Sequence, residues 1–230
     1  MSEAVKRHYD NTRRLAQVRA TRLRVIEAAK RLFIQSGYPA TTLEAVAGAS
    51  DVSLPTLYRL FGSKRALLAA VLDTSFGGDD EPIAFAERPE VRAARSEPDR
   101  LKMAEAFARI LAELLERTSA ILHVLASAAQ VDPDAAGLLA EIRRQRHTGQ
   151  SRIVAAFVER DALDPGLEPS KAADMVYAWM SPDVHRILTV ERGWSSEDYE
   201  VYALRCLRCL LRGEPARTGR AVPGQKIKER

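Results

Sequence analysis

The chain is expected to be all-α, with a small N-terminal helix-turn-helix domain followed by a larger C-terminal helical domain. Three observations predict this. Apolar residues recur at three- and four-residue steps through most of the sequence, with no alternating run that reads as paired strands. The first eighty residues break into short segments at Gly37, at Ser50-Asp51-Val52 and at Gly62-Ser63, whereas the segments beyond residue 98 are long. Between the two regions, Gly77 to Pro98 carries adjacent glycines, three prolines and mixed charge, an irregular stretch long enough to mark a boundary. The division predicted is a basic arm at 1–20, the helix-turn-helix domain at 21–76, a connector at 77–97, a helical domain at 98–212 and a basic, aperiodic tail at 213–230.

Taken in order, Val25, Ile26, Ala29, Leu32 and Phe33 form the buried face of the first helix, and Gly37 suits its C-terminal end. Thr41 or Thr42 caps a second helix of barely two turns, with Leu43, Val46 and Ala47 facing inward. Ser53 caps a third short helix and Pro55 sits in its first turn, where a missing N–H costs little. Ser63 caps a fourth. In the second domain, Met103, Phe107, Ile110, Leu111 and Leu114 mark one helix, and Ser119 or its neighbour reads as the cap of a separate, almost wholly apolar one. Pro133 opens a long helix, Pro169 precedes the next, and Ser181-Pro182-Asp183 either kinks that helix or starts another. Ser195 and Asp198 have capping-box spacing before the last helix.

With 230 residues, 46% apolar and 29% charged, the composition is that of a globular protein, and no run approaches the roughly 18 apolar residues of a membrane span. The basic, polar N-terminus lacks an apolar export segment, so a cytoplasmic protein without a membrane partner is expected. Charge is unevenly spread. Residues 1–24 hold seven basic side chains against two acidic ones, and residues 212–230 hold six against two, leaving a net acidic body. Basic ends on an acidic body suit a polyanionic partner.

Short helices joined by a tight turn form a helix-turn-helix pattern, in which the third helix enters the major groove with its N-terminal residues at base edges. On that placement Thr56 offers a hydroxyl, Pro55 an apolar surface, Tyr58 a phenol for the backbone, and Lys64 a cation for a phosphate. Leu54 can meet a thymine methyl, and Arg59 is the candidate for a bidentate contact with guanine. Arg13, Arg14 and Arg19 of the basic arm are candidates for phosphate or minor-groove contact, the alternative being that this segment extends the first helix with a solvated basic face. Val52, Leu57 and Phe61 face the first two helices and are expected in the core.

The run GYPATTLEAVAGASDVSLPTLYRLFGSKRALL resembles the DNA-binding domain of the TetR family. The resemblance rests on Gly37-Tyr38, Thr41-Thr42, Val46-Ala47, Val52-Ser53, Thr56-Leu57-Tyr58, Phe61, Ser63-Lys64 and Leu67-Leu68. It adds Thr42 and Ser53 to the expected DNA-binding residues. Ser50-Asp51 stands where the family usually has Ala-Gly, and Leu54 and Leu60 stand where relatives are often polar. The resemblance implies a homodimeric regulator of a palindromic operator in double-stranded DNA, acting as a repressor released by a small effector, with the effector pocket and the dimer interface in the second domain.

For that pocket, Phe107, Leu111, His123, Phe157, Met175, Trp179 and Met180 combine rings, thioethers and one imidazole, which suits a mostly apolar ligand oriented by a polar contact. For the interface, Tyr199, Ala203, Cys206, Leu207 and Leu210 form one apolar stripe, and Val184, Ile187 and Leu188 another. No catalytic constellation, phosphate loop or metal-ligand cluster is visible, so no enzyme activity, cofactor or metal is expected. Cys206 and Cys209 are spaced as CxxC but lie within a helical pattern that favours packing over redox or zinc chemistry. A weakly specific architectural DNA-binding protein is the alternative reading.

Overall fold

The computed structural model describes residues 3–79 and 83–213, with side chains from residue 14 onward. The helices are α1 (Glu3–Ala40), α2 (Leu43–Ala49), α3 (Leu54–Phe61), α4 (Lys64–Gly77), α5 (Pro89–Ser96), α6 (Arg100–Ala128), α7 (Pro133–Val158), α8 (Pro169–Trp179), α9 (Pro182–Arg186) and α10 (Ser196–Arg208). A π-helical turn, Ile187–Glu191, extends α9, and an antiparallel bridge pairs Leu163 with Leu211. Among the described residues no helix is long and apolar enough to cross a membrane.

Two apolar cores result. In the N-terminal core, Val25, Phe33, Val46, Leu57, Leu67 and Val71 meet Ile121 and Leu125 of α6 and Ile142 of α7. In the C-terminal core, Met103, Phe107 and Leu111 of α6 meet Phe157 of α7, Val176 of α8, and Tyr199 and Leu207 of α10. The 29 residues of α6 span about 43 Å at the usual helical rise. One rigid element therefore belongs to both cores.

Three expectations about elements change. Ser119 does not start a helix, because α6 runs unbroken past it. Thr118 is fully buried there and donates its hydroxyl to the Leu114 carbonyl at 2.7 Å, which satisfies a polar group inside a helix without a cap. The connector is not wholly irregular either. It contains a 3-10 turn (Phe85–Glu87) and α5, whose Val91 and Ala94 join the C-terminal core. Beside it, Arg88 is 7% exposed and binds Asp79 through both terminal nitrogens, at 2.8 and 2.7 Å. The arm at 1–20 is helical from Glu3 and continuous with α1. Residues 214–230, most of the expected tail, lie outside the described residues.

Candidate functional site

The N-terminal domain aims α3 through a series of local devices. Gly37 leaves helical geometry at φ 78°, breaking α1 before α2. The Thr42 hydroxyl accepts from Ala45 N at 3.1 Å and caps α2. The turn that follows puts Asp51 at φ 53°, a left-handed position that Asp tolerates better than most residues. Ser50 is buried there and donates to the Val46 carbonyl at 2.7 Å. Ser53 caps α3 by accepting from Thr56 N, and its hydroxyl lies 2.8 Å from that of Thr56. Gly62, at φ 76°, stops α3, and Ser63 caps α4 through Ala66 N.

These constraints fix the two faces of α3. Leu57 and Phe61 are buried, while Pro55, Tyr58 and Arg59 are exposed. Leu54 and Leu60 are half-buried and pack against the N-terminal core. A leucine there has the core as an apolar partner, so Leu54 is drawn inward rather than presented freely to a base edge. Thr42 and Ser53 are exposed with their oxygens engaged as caps, and Thr56 is half-buried.

Lys64 has an internal role that the sequence does not show. Its Nζ donates to the Pro39 carbonyl at 3.2 Å and sits 4.5 Å from the centroid of the Tyr38 ring. It thus ties the start of α4 to the end of α1, just past the break at Gly37. Burial lowers its pKa, and the charge of Asp132 opposes that. An ammonium has three donors, so one bond to Pro39 leaves two for a phosphate. Arg22, legible in sequence only as one charge in a basic run, lies 4.6 Å over the Phe61 ring and donates to the Leu60 carbonyl at 3.3 Å. It clamps the end of α3 to α1. Arg14 and Arg19 are exposed on α1, and the side chain of Arg13 lies outside the described residues.

A second set of contacts joins this domain to α6. Lys30 of α1 donates to the Arg117 carbonyl at 3.1 Å, and Arg117 Nε donates to the Ser75 carbonyl at 3.4 Å. Both bonds sit on the stretch of α6 between the residues it gives to one core and those it gives to the other.

In the C-terminal domain, Phe107, Leu111, Phe157 and Met180 are buried in one core, and Met175 and Trp179 pack at its edge. Phe107 and Phe157 meet edge to face with centroids 6.3 Å apart. His123 does not join them. It is exposed, because Leu122, Val124 and Leu125 take the buried positions around it. The expected dimer stripe on α10 also changes. Tyr199, Ala203, Leu207 and Leu210 are 0–1% exposed within one protomer, so they form its core and offer no surface to a partner. Burial pushes the Tyr199 phenol well above its ordinary pKa. Cys206, Val184 and Leu188 are half-buried, and Ile187 is exposed. The exposed apolar side chains of this region are Ile187, Val190, Trp194 and Val201. Among the described residues no group of three or more His, Cys, Asp or Glu side chains could hold a metal.

Residues 25–71 match the family model described as bacterial regulatory proteins, tetR family. The transcriptional repressor ComR of Escherichia coli is 31% identical over 137 residues, covering 58% of this chain and 61% of ComR. The transcriptional regulator TtgR of Pseudomonas putida is 29% identical over 182 residues, covering 75% of this chain and 82% of TtgR. Among solved structures, NalD is similar in fold, with a TM-score of 0.61 and 21% identity, over 84% of this chain and 98% of that one. NalD is the secondary repressor of the MexAB-OprM multidrug efflux pump in Pseudomonas aeruginosa.

Proposed function

The chain belongs to the TetR family of bacterial regulatory proteins, and from that premise we propose that it is a homodimeric transcriptional repressor released from a palindromic operator by a small effector. One observation carries the DNA-binding part: α3 buries Leu57 and Phe61 while presenting Pro55, Tyr58 and Arg59 outward, with Lys64 beside them. Arg59 reads a guanine, and Tyr58 and Lys64 hold the backbone phosphates. Exposed Arg14 and Arg19 on α1 add charge for the same polyanion.

The response to an effector follows from α6. Its N-terminal half packs around Phe107 and its C-terminal half inside the N-terminal core, with the Lys30–Arg117–Ser75 bonds between. An effector that changes the packing around Phe107 and Phe157 shifts α6 as a rod, and α1 and α4 follow. Two recognition helices must lie about 34–36 Å apart to meet successive major grooves, so a small rotation suffices to break the fit. A coupling of ~1–3 kcal/mol changes operator affinity about 5–150-fold. The partner protomer packs on the exposed face of Ile187, Val190, Trp194 and Val201, an apolar set that water otherwise covers.

Selection of bound duplexes from a random DNA pool at physiological salt tests this reading. An inverted repeat with half-sites one or two helical turns apart is expected. Recovery of unrelated sequences with no repeat would mean weak, architectural binding instead.

A further inference from the structure

Cys206 and Cys209 are the two cysteines of the chain, and both are free thiols. The helical pattern favours a packing role, and packing accounts for Cys206, which lies half-buried against the C-terminal core. It does not account for Cys209, which stands exposed at the C-cap of α10. Residues three apart on a helix are neighbours on its surface. A rise of about 4.5 Å and a rotation of about 300° place their Cα atoms about 5 Å apart, inside the range of about 4.4–6.8 Å that a disulfide spans. Cys209 keeps helical backbone angles, φ −61° and ψ −15°, so this spacing holds at the cap.

The two thiols differ in access. Burial pushes the Cys206 thiol up in pKa, which keeps it protonated and slow towards oxidants. Cys209 is open to solvent. It lies about 12 Å beyond Val201 along the axis and about 80° around it, away from the face proposed for the partner protomer. The backbone around Cys209 is also anchored. Its N–H donates to the Arg205 carbonyl at 3.1 Å, and the Leu210 and Leu211 that follow are fully buried. The Leu210 carbonyl accepts from Asp164 N and Arg212 N donates to the Ala162 carbonyl, each at 2.8 Å, while Leu211 bridges to Leu163. The last turn is thus held on both sides, so a Cys209 that reacts keeps Cys206 within reach.

We propose that Cys206 and Cys209 form a peroxide-sensitive dithiol that closes to an intramolecular disulfide at the end of α10. The Cys209 thiolate attacks one oxygen of hydrogen peroxide: an S–O bond forms, the O–O bond breaks, and the departing hydroxide takes the proton lost by Cys209 and leaves as water. The Cys206 sulfur then attacks the Cys209 sulfur. An S–S bond forms, the S–O bond breaks, and the second hydroxide leaves as water with the Cys206 proton. Two thiols lose two electrons, and one peroxide is reduced to two waters. Cβ atoms three residues apart lie about 5–6 Å from each other on a helix, against about 3.8 Å in a disulfide, so closure tightens the last turn by about 1–2 Å. A bond formed under that strain is easily reduced, which makes the step reversible. Tyr199, Ala203 and Leu207 of α10 share a core with Met103, Phe107 and Leu111 of α6, and α6 enters the N-terminal core. A tightened α10 therefore acts on operator binding through α6, a consequence that rests on the reading of the chain as a regulator.

Titration of the reduced full chain with hydrogen peroxide tests the pair, read by thiol counting under denaturing conditions and by intact mass. The two thiols should fall to none with the loss of two hydrogens, the chain should remain single on a non-reducing denaturing gel, and dithiothreitol should restore both thiols. Cys206→Ser should leave Cys209 as a sulfenic acid that dimedone traps, and Cys209→Ser should oxidise at least about tenfold more slowly than Cys206→Ser. Thiols that persist, oxygen added to either sulfur without an S–S bond, or a disulfide joining two copies overturns the proposal. Equal oxidation of the two variants overturns Cys209 as the attacking thiol. Operator affinity of the reduced and oxidised chains, compared by fluorescence anisotropy, should differ at least about fivefold. A disulfide that forms while affinity stays the same refutes the link to DNA and leaves the dithiol standing; failure of the reduced chain to select an operator refutes the regulator reading instead.

Discussion

Replacing Lys64 with Met keeps most of the stem and removes the ammonium, and the structure gives this change two separable consequences. Within the protein, it deletes the bond to the Pro39 carbonyl and the contact with the Tyr38 ring. A hydrogen bond of this kind contributes about 1 kcal/mol and a half-exposed cation–π pair about 0.5–1 kcal/mol, so the loss is about 1.5–2 kcal/mol. For a chain of 230 residues that lowers Tm by about 3–8 °C. On DNA, it removes one phosphate contact per protomer and two per dimer, which flattens the plot of log affinity against log salt by about 1.8. The defect at ~50 mM salt is then about twelvefold larger than at ~200 mM. Fluorescence anisotropy of a labelled operator across that range measures the slope, and thermal unfolding measures the brace. Lys64→Arg, retaining the charge, should leave the slope unchanged. A lowered Tm with an unaltered salt slope in Lys64→Met would show that Lys64 only braces α4 and touches no phosphate.

Arg59→Ala should relax discrimination at a single operator position by ~1–3 kcal/mol, read by competition with base-substituted operators; a uniform loss against every sequence would remove the base-reading role. Val190→Glu places a charge on the exposed apolar face and should yield monomers by light scattering together with weakened operator binding, whereas an unchanged dimer locates the interface elsewhere. His185 predicts a pH effect on stability. Burial lowers its folded pKa below the ordinary 6.5, and the Glu116 charge only partly opposes that. As pH falls below about 6.5 the unfolded chain takes up a proton that the folded chain resists, so stability drops with acidification and is fully present above that value. His185→Gln should show a smaller decline in unfolding free energy between about pH 7 and 5; identical declines would mean that other groups govern the effect.

Much of the first domain was legible because its signals are local. Thr42, Ser53 and Ser63 cap helices that begin within three residues of them, Pro55 lies in a first turn, and Gly37 and Gly62 take the positive φ that ends a helix. The spacing of Leu57 and Phe61 from the exposed Tyr58 and Arg59 follows from helical periodicity once those ends are set. The second domain was legible as long helices but not as sites. Periodicity marks Tyr199, Ala203, Leu207 and Leu210 as one apolar stripe, yet says nothing of whether the protomer's own core or a second copy covers it. It likewise marks no register that would turn His123 outward between Leu122 and Val124.

The sequence by itself determined the helical class, the turn, the caps and the outward face of α3, because each depends on residues within one or two turns of chain. Only the tertiary structure decided that Lys64 is tied to Pro39, that α6 enters both cores, and that the His185 and Tyr199 rings meet edge to face. Those contacts join residues far apart in sequence, and their partners are set by the packing of whole helices, which no local pattern encodes.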